Sequence, residues 1–224
     1  MFEFYLDTAD AEKVAELNKS IPIFGVTTNP SILAKAGLGI ATVFPDISTA
    51  LGGQARFHVQ VVSQTAEAML AEALQLDALP YDIVVKVPAT QVGLAAIKLM
   101  KAEGIMVLAT AIYTAQQGFL AALCGADYLA PYVNRIDAMG VDGIGVVADI
   151  QALLVRHGFA AKLLPASFKN TLQVMDILQL GVASITIPVE IAEQMMAHPA
   201  VQPAVDQFTQ DWQAGFGDKL VIDS

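Results

Sequence analysis

The sequence predicts a (β/α)8 barrel, the TIM-barrel class of α/β protein, with one additional helix at the C-terminus. Three observations carry this expectation. Short β-rich apolar runs alternate along the chain with longer stretches of helical periodicity. Two runs, residues 83–87 and 105–109, are almost wholly apolar, like strands of a parallel sheet covered on both faces. Eight such β/α units fit the 224 residues, whereas an open doubly wound sheet of this length would have fewer strands.

Residues 2–7 read as the first strand, and the helix over 10–19 carries Val14 and Leu17 on one face. Strands over 24–28 and 57–62 follow, then a helix over 66–76 with Met69, Leu70, Ala73 and Leu74 inward. The strand at 83–87 precedes a helix over 91–103 that Gly104 closes as a C-cap. Strands at 105–112, 128–133, 162–167 and 184–188 lead into helices at 114–123, 145–156, 171–180 and 191–198, which stop at Gly125, Gly158, Gly181 and Pro199. A last helix, 204–214, lies beyond the eighth unit. Its Val205, Phe208 and Trp212 share one face, which either packs back on its own barrel or reaches a neighbouring subunit with Trp212 as anchor. No linker, low-complexity tract or repeat interrupts the pattern. Residues 1–224 therefore read as one barrel domain, with 203–224 as a helical extension.

The chain carries 12 basic and 22 acidic residues, a net charge of −10. It is 55% hydrophobic and only 15% charged, which excludes disorder. A pI near 4.5 argues against nucleic acid or an anionic membrane as partner. Mean hydropathy is high at +0.54. Yet the longest apolar-plus-Gly run, residues 118–126, is far short of the ~20 residues that a spanning helix needs. The N-terminus shows no secretory signal and Cys124 is the only cysteine, so a cytoplasmic location is expected. His58, His157 and His198 lie far apart without metal-ligand spacing, so no metal site is expected. Gly143, Gly145 and Ala148 match a dinucleotide-binding pattern, but no strand directly precedes them and no acid ends the following strand. They read as a loop and helix start, and no cofactor is expected. Cys124 reads as an inert thiol at a helix end.

In a barrel the chemistry lies at the C-terminal strand ends. The polar residues there are Asp7, Thr27, Thr28, Asn29, Gln60, Lys86, Thr110, Tyr132, Asn134, Arg135, Ser167, Lys169 and Thr186. Lys86 is the most informative, because it alone among the lysines lies mid-strand. Alternation puts Val84, Lys86 and Pro88 on one face and Val85 and Val87 on the other, which points Lys86 into the barrel. Burial lowers an amine's pKa, and a neutral amine is the nucleophile of Schiff-base chemistry. The competing reading is a structural lysine paired with an acid such as Asp7. Asp7 either orients a substrate hydroxyl or caps the first helix, a role for which Asp10 competes. Arg135, Ser167 and Lys169 place two cations and a hydroxyl at neighbouring strand ends, a combination suited to phosphate. The alternative for Arg135 is a rim ion pair with Asp137.

The segments Tyr5–Thr8, Gly25–Ser31, Val84–Pro88, Gly93–Lys98, Ala130–Asp137, Ala166–Lys169 and Ser184–Pro188 resemble, in order, the motifs of the transaldolase family, and specifically its small fructose-6-phosphate aldolase type. The resemblance implies a TIM barrel with its Schiff-base lysine on strand four, at Lys86. It also implies a cofactor-free class I aldolase that reversibly cleaves fructose 6-phosphate to dihydroxyacetone and glyceraldehyde 3-phosphate. Alternatives are a transaldolase that moves a dihydroxyacetone unit between sugar phosphates, or a barrel that binds sugar phosphates without covalent chemistry. Transaldolases carry Glu at the third strand end and Phe on the sixth; Gln60 and Tyr132 here resemble the aldolase branch. On that basis Gln60, Thr110 and Tyr132 hold a catalytic water, with the phenol as acid/base. Asp7, Thr27 and Asn29 position hydroxyls and the imine, and Arg135, Ser167 and Lys169 hold phosphate. A homo-oligomer, pentamer or decamer, built through the C-terminal helix is also implied. Pro165 departs from the pattern and is expected to perturb the end of strand seven.

Overall fold

The computed structural model describes residues 2–223, so Met1 and Ser224 of the expected domain lie outside it. Eight parallel strands form one sheet: β1 (Glu3–Asp7), β2 (Gly25–Thr27), β3 (Arg56–Gln60), β4 (Asp82–Pro88), β5 (Val107–Ile112), β6 (Tyr128–Pro131), β7 (Lys162–Leu163) and β8 (Ser184–Ile187). From β1 to β7 each strand pairs with the next in sequence, and β8 returns to pair with β1. The result is the TIM barrel that the alternation of elements predicts.

The last seam explains why β7 is only two residues long where six were expected. Along this segment the N–H groups of Lys162, Leu164 and Ala166 all turn towards β6, donating to Asp127, Leu129 and Pro131 carbonyls. The alternate residues face β8, and there Pro165 has no N–H to give. The seam closes by other means. The Ser184 hydroxyl donates to the Leu163 carbonyl at 2.7 Å, and the Thr186 N–H donates to the Pro165 carbonyl at 3.1 Å.

Outside the barrel lie α1 (Ala11–Asn18), α2 (Pro30–Ala36), α3 (Ile40–Ala50), α4 (Ala66–Asp77), α5 (Gln91–Ala102), α6 (Ala115–Leu123), α7 (Val133–Asp137), α8 (Gly143–His157), α9 (Thr171–Gln179) and α10 (Val189–Met196). Helices α2, α3 and α7 are absent from the sequence reading. Pro45 inside α3, and Gly37 and Gly39 between α2 and α3, hide the helical period. Val133, read as strand, begins α7 instead, and Tyr132 keeps only an isolated parallel bridge to Ala166. The glycine pattern of α8 serves packing: a Cβ on Gly143 would sit 2.6 Å from the Val133 carbonyl oxygen, and one on Gly145 would sit 2.7 Å from the carboxylate of Asp142, the α8 N-cap.

Strand alternation sorts the apolar side chains into two cores. Val85, Val87, Ile185, Ile187, Phe57 and Leu129 face the helices, while Tyr5, Val84, Leu108, Tyr128, Ala130 and Leu164 fill the barrel. Beneath this inner core, at the N-terminal end, buried Glu3 accepts hydrogen bonds from Lys162 Nζ (2.6 Å), Tyr5 OH (2.9 Å) and Tyr128 OH (2.9 Å). Arg56 donates to Tyr128 OH at 2.7 Å and pairs with Asp82 at 2.8 Å.

Helix α11 (Val201–Phe216) and a short 3-10 turn (Val221–Asp223) complete the chain. No residue of α11 is buried. Val205 and Phe208 are exposed, whereas Trp212 stacks on Phe216 at 4.5 Å and donates to the Lys219 carbonyl at 2.8 Å. The apolar face thus does not pack back on its own barrel, and Trp212 is partly covered by the segment that follows it. No helix among the described residues is long and apolar enough to cross a membrane.

Burial raises the Glu3 pKa, but its bonds from Lys162, Tyr128 and Tyr5 outweigh that and leave it below the ordinary glutamate value of 4.5. A carboxylate depressed on folding stabilises the protein above its unfolded pKa and loses that contribution as pH falls through the folded value. Glu3→Gln is therefore expected to cost about 1–3 kcal/mol at neutral pH and to flatten the stability profile below pH 4.5. Urea denaturation at stepped pH measures both.

Candidate active site

At the C-terminal end the interior changes character. The inward positions there are Asp7 on β1, Thr27 on β2, Gln60 on β3, Lys86 on β4, Thr110 on β5 and Thr186 on β8, with Tyr132 just past β6. Polar residues end these strands without breaking them because each still completes its backbone ladder and places only one side chain inward.

Lys86 is 5% exposed, and its ammonium donates to the Thr28 carbonyl at 2.6 Å. Among the described residues no carboxylate lies within ion-pair distance of it. The paired structural lysine is thereby excluded. Burial pulls the amine below the ordinary lysine range, and the more distant negative charge of Asp7 opposes this without reversing it. The layer below gives the amine no hydrogen bond. His58, one pleat below Gln60, is fully buried between the rings of Tyr5 (4.7 Å) and Tyr128 (5.1 Å), and both its nitrogens lack partners. Burial, then repulsion from Lys86 and Arg56, holds this imidazole well below its usual pKa, so it is neutral.

Asp7 does not cap α1; Asp10 does, accepting from Lys13 N–H. Asp7 instead accepts from the Thr27 hydroxyl at 2.6 Å, and that hydroxyl also lies 2.7 Å from Thr186 Oγ1. A hydroxyl has one proton, so with Asp7 ionised the order of donation is Thr186 to Thr27 to Asp7. Asn29 caps α2, its Oδ1 accepting from Ile32 N–H at 3.0 Å. Its Nδ2 is left as a donor for an oxygen at the strand ends.

Across the barrel, Thr110 Oγ1 and Tyr132 OH lie 2.8 Å apart. Burial raises the Tyr132 pKa, against the Thr110 hydrogen bond and the charge of Arg135. Alternation from Leu108 points Thr110 inward, and β5 then becomes irregular between Ala109 and Ile112, where Ala111 takes a left-handed φ of 56°. Gln60 is the register partner of Lys86 and makes no side-chain hydrogen bond among the described residues, so its amide is available to a water or substrate.

Arg135 stands at the rim on α7 with its guanidinium 4.7 Å over the Tyr132 ring. It forms no ion pair among the described residues. Asp137, its expected rim partner, instead accepts from Gln173 Nε2 (2.6 Å) and Gly143 N–H (2.9 Å). Backbone bonds from Val133 N–H to Ala166 O (3.0 Å) and Asn134 N–H to Ser167 O (2.8 Å) tie α7 to the β7 end, and Ser167 has a left-handed φ of 64°. Left-handed non-glycine residues persist where the surroundings over-determine them, commonly beside a site. Lys169 is exposed, and no contact joins its amine to Arg135 or Ser167. Gln173 is a missed positioning residue. It holds Asp137 with its amide and the Lys169 N–H with its carbonyl (2.9 Å), and only the folded chain brings residues 137, 169 and 173 together. A cavity of about 770 Å³ opens on the same rim beside Asp7, between Ile32 and Lys35 of α2 and Glu190 of α10.

The site thus joins a buried amine that has no carboxylate partner among the described residues, a phenol–hydroxyl pair at the neighbouring strand ends, and a rim arginine without an ion pair. The model of the transaldolase/fructose-6-phosphate aldolase family matches residues 4–220, and the chain belongs to that family.

An amine with a depressed pKa costs stability wherever the unfolded chain binds the extra proton, so stability is expected to rise as pH climbs towards 10.5, the free-lysine value. Lys86→Met removes that cost and is expected to stabilise the fold by about 1–3 kcal/mol at pH 7. Thermal and urea unfolding of the variant checks this.

Proposed function

We propose that this protein is a class I fructose-6-phosphate aldolase, cleaving fructose 6-phosphate reversibly to dihydroxyacetone and glyceraldehyde 3-phosphate. The observation that carries the aldolase branch is the Tyr132 hydroxyl beside Thr110, on the strand next to that of a buried amine with no ion pair among the described residues. Lys86 attacks the C2 carbonyl, and loss of water gives an imine that withdraws electrons. A base takes the proton of the C4 hydroxyl, the C3–C4 bond breaks, and glyceraldehyde 3-phosphate leaves the Arg135, Ser167 and Lys169 end. Asp7, fixed by Thr27, and the Nδ2 of Asn29 position the donor's hydroxyls and the imine nitrogen. A water held by Gln60, Thr110 and Tyr132 carries a proton to the enamine, and hydrolysis releases dihydroxyacetone.

The transaldolase reading uses the same lysine and differs in the fate of the enamine. A phenol protonates the enamine and ends the reaction, while a residue without that proton leaves it for a second sugar. Outside the site, we propose a cytoplasmic homo-oligomer, pentamer or decamer, in which α11 contacts a neighbour. The exposed Val205, Phe208 and Phe216 of α11 support this.

Borohydride reduction with dihydroxyacetone is expected to place an adduct on Lys86, read by peptide mass spectrometry; no adduct there rejects the covalent mechanism. Free dihydroxyacetone is expected from fructose 6-phosphate without any added acceptor. Tyr132→Phe is expected to raise the ratio of transfer to cleavage by about tenfold or more. Removal of residues 203–224 is expected to lower the solution mass by disassembly.

A further inference from the structure

The side chain of Arg135 is long, exposed and carried on a five-residue helix, and no carboxylate among the described residues restrains it. Such a cation normally samples many rotamers and loses that freedom when it binds. Here two phenols hold it. Its guanidinium lies 4.7 Å over the face of Tyr132 and its Nη1 donates to Tyr113 OH at 3.5 Å. The two rings meet edge to face with centroids 5.7 Å apart.

Tyr113 is itself anchored. It follows the β5 bulge, its N–H donates to Gln117 Oε1 at 2.9 Å, and Gln117 Nε2 donates to the Ala89 carbonyl at 3.4 Å. The left-handed Ala111 therefore separates two arms of one short segment. Thr110 reaches inward to the Tyr132 hydroxyl, and Tyr113 reaches over the rim to Arg135. Residues 110–113 thus hold the phenol and the cation in a fixed relation.

We propose that Tyr113 is a positioning residue that fixes Arg135 at the distance from Lys86 where a terminal phosphate falls, and so sets the preference for phosphorylated over unphosphorylated aldehydes. This rests on the aldolase reading for the substrate class. The Tyr113 hydroxyl orders the guanidinium before the anion arrives, so binding spends less on ordering it. An aldehyde without phosphate gains nothing from that order.

The test compares glyceraldehyde 3-phosphate with unphosphorylated glyceraldehyde as acceptors for dihydroxyacetone, alongside calorimetric titration with inorganic phosphate. Tyr113→Phe keeps the ring and removes only the hydroxyl, so it preserves the packing that Tyr113→Ala removes. For Tyr113→Phe, KM for glyceraldehyde 3-phosphate is expected to rise about threefold to tenfold, with kcat changed less and KM for glyceraldehyde changed less. Tyr113→Ala is expected to weaken phosphate binding further, and to add little in an Arg135→Ala background. Equal effects on both acceptors, or full additivity with Arg135→Ala, overturns the proposal. If the wild type forms no Lys86 adduct, the aldolase reading fails. The phosphate titration still decides the coupling: Tyr113 variants that bind phosphate as the wild type does overturn it, and weakened binding lost in the Arg135→Ala background supports it.

Discussion

An amine buried in a barrel with nothing to neutralise it is the constraint on which the rest of this structure depends. Among the described residues Lys86 has one short hydrogen bond, to a backbone carbonyl, and no carboxylate partner. Coulomb attraction to a paired acid would restore the ordinary lysine pKa and remove the nucleophile. The surrounding chemistry respects that condition. Asp7, whose negative charge is felt at the amine, is held by Thr27 rather than by Lys86, and the ring beneath is a neutral imidazole.

The two ends of the barrel handle charge in opposite ways. At the N-terminal end Glu3, Lys162, Arg56 and Asp82 find partners, and the tyrosine hydroxyls between them complete the network. At the C-terminal end, among the described residues, Lys86 and Arg135 have no carboxylate partner and the Gln60 amide makes no hydrogen bond. Satisfied groups stabilise and unsatisfied groups bind, which is the division that the barrel architecture makes between its two faces. A net charge of −10 does not describe the second face, where two basic side chains have no ion pair among the described residues.

Much of this was legible in the sequence, because strand alternation carries orientation as well as location. Val84, Lys86 and Pro88 against Val85 and Val87 is a statement about faces, and the two cores divide along it. The strand-end list contained every residue of the inner polar layer, including Thr186, which received no role because its value lies in bonding to Thr27 from 159 positions away. What was not legible depends on backbone irregularity or on contacts distant in sequence. The bulge at Ala111, the left-handed Ser167, the clamp through Gln173 and the role of Tyr113 have no period to read. Helices α2, α3 and α7 were missed because proline, glycine or shortness suppresses the helical pattern. The Arg135–Asp137 ion pair that the sequence left as an alternative does not form, and Gln173 and Gly143 bond that carboxylate instead.

The seam between β7 and β8 bears on the order in which the chain assembles. Strand β8 is the last to be made, and it alone joins β1 to the β7 segment. Until residue 187 is available, β1 and β7 are both open edges with unpaired backbone groups. The closing side offers a proline carbonyl and a serine hydroxyl where other seams offer a continuous ladder, so the final step has few backbone bonds to guide it. Fidelity then rests on β1, whose Glu3, Phe4, Tyr5 and Leu6 pair in register with Ser184, Ile185, Thr186 and Ile187. The first strand made is thus the template for the last, and the barrel closes on its own beginning.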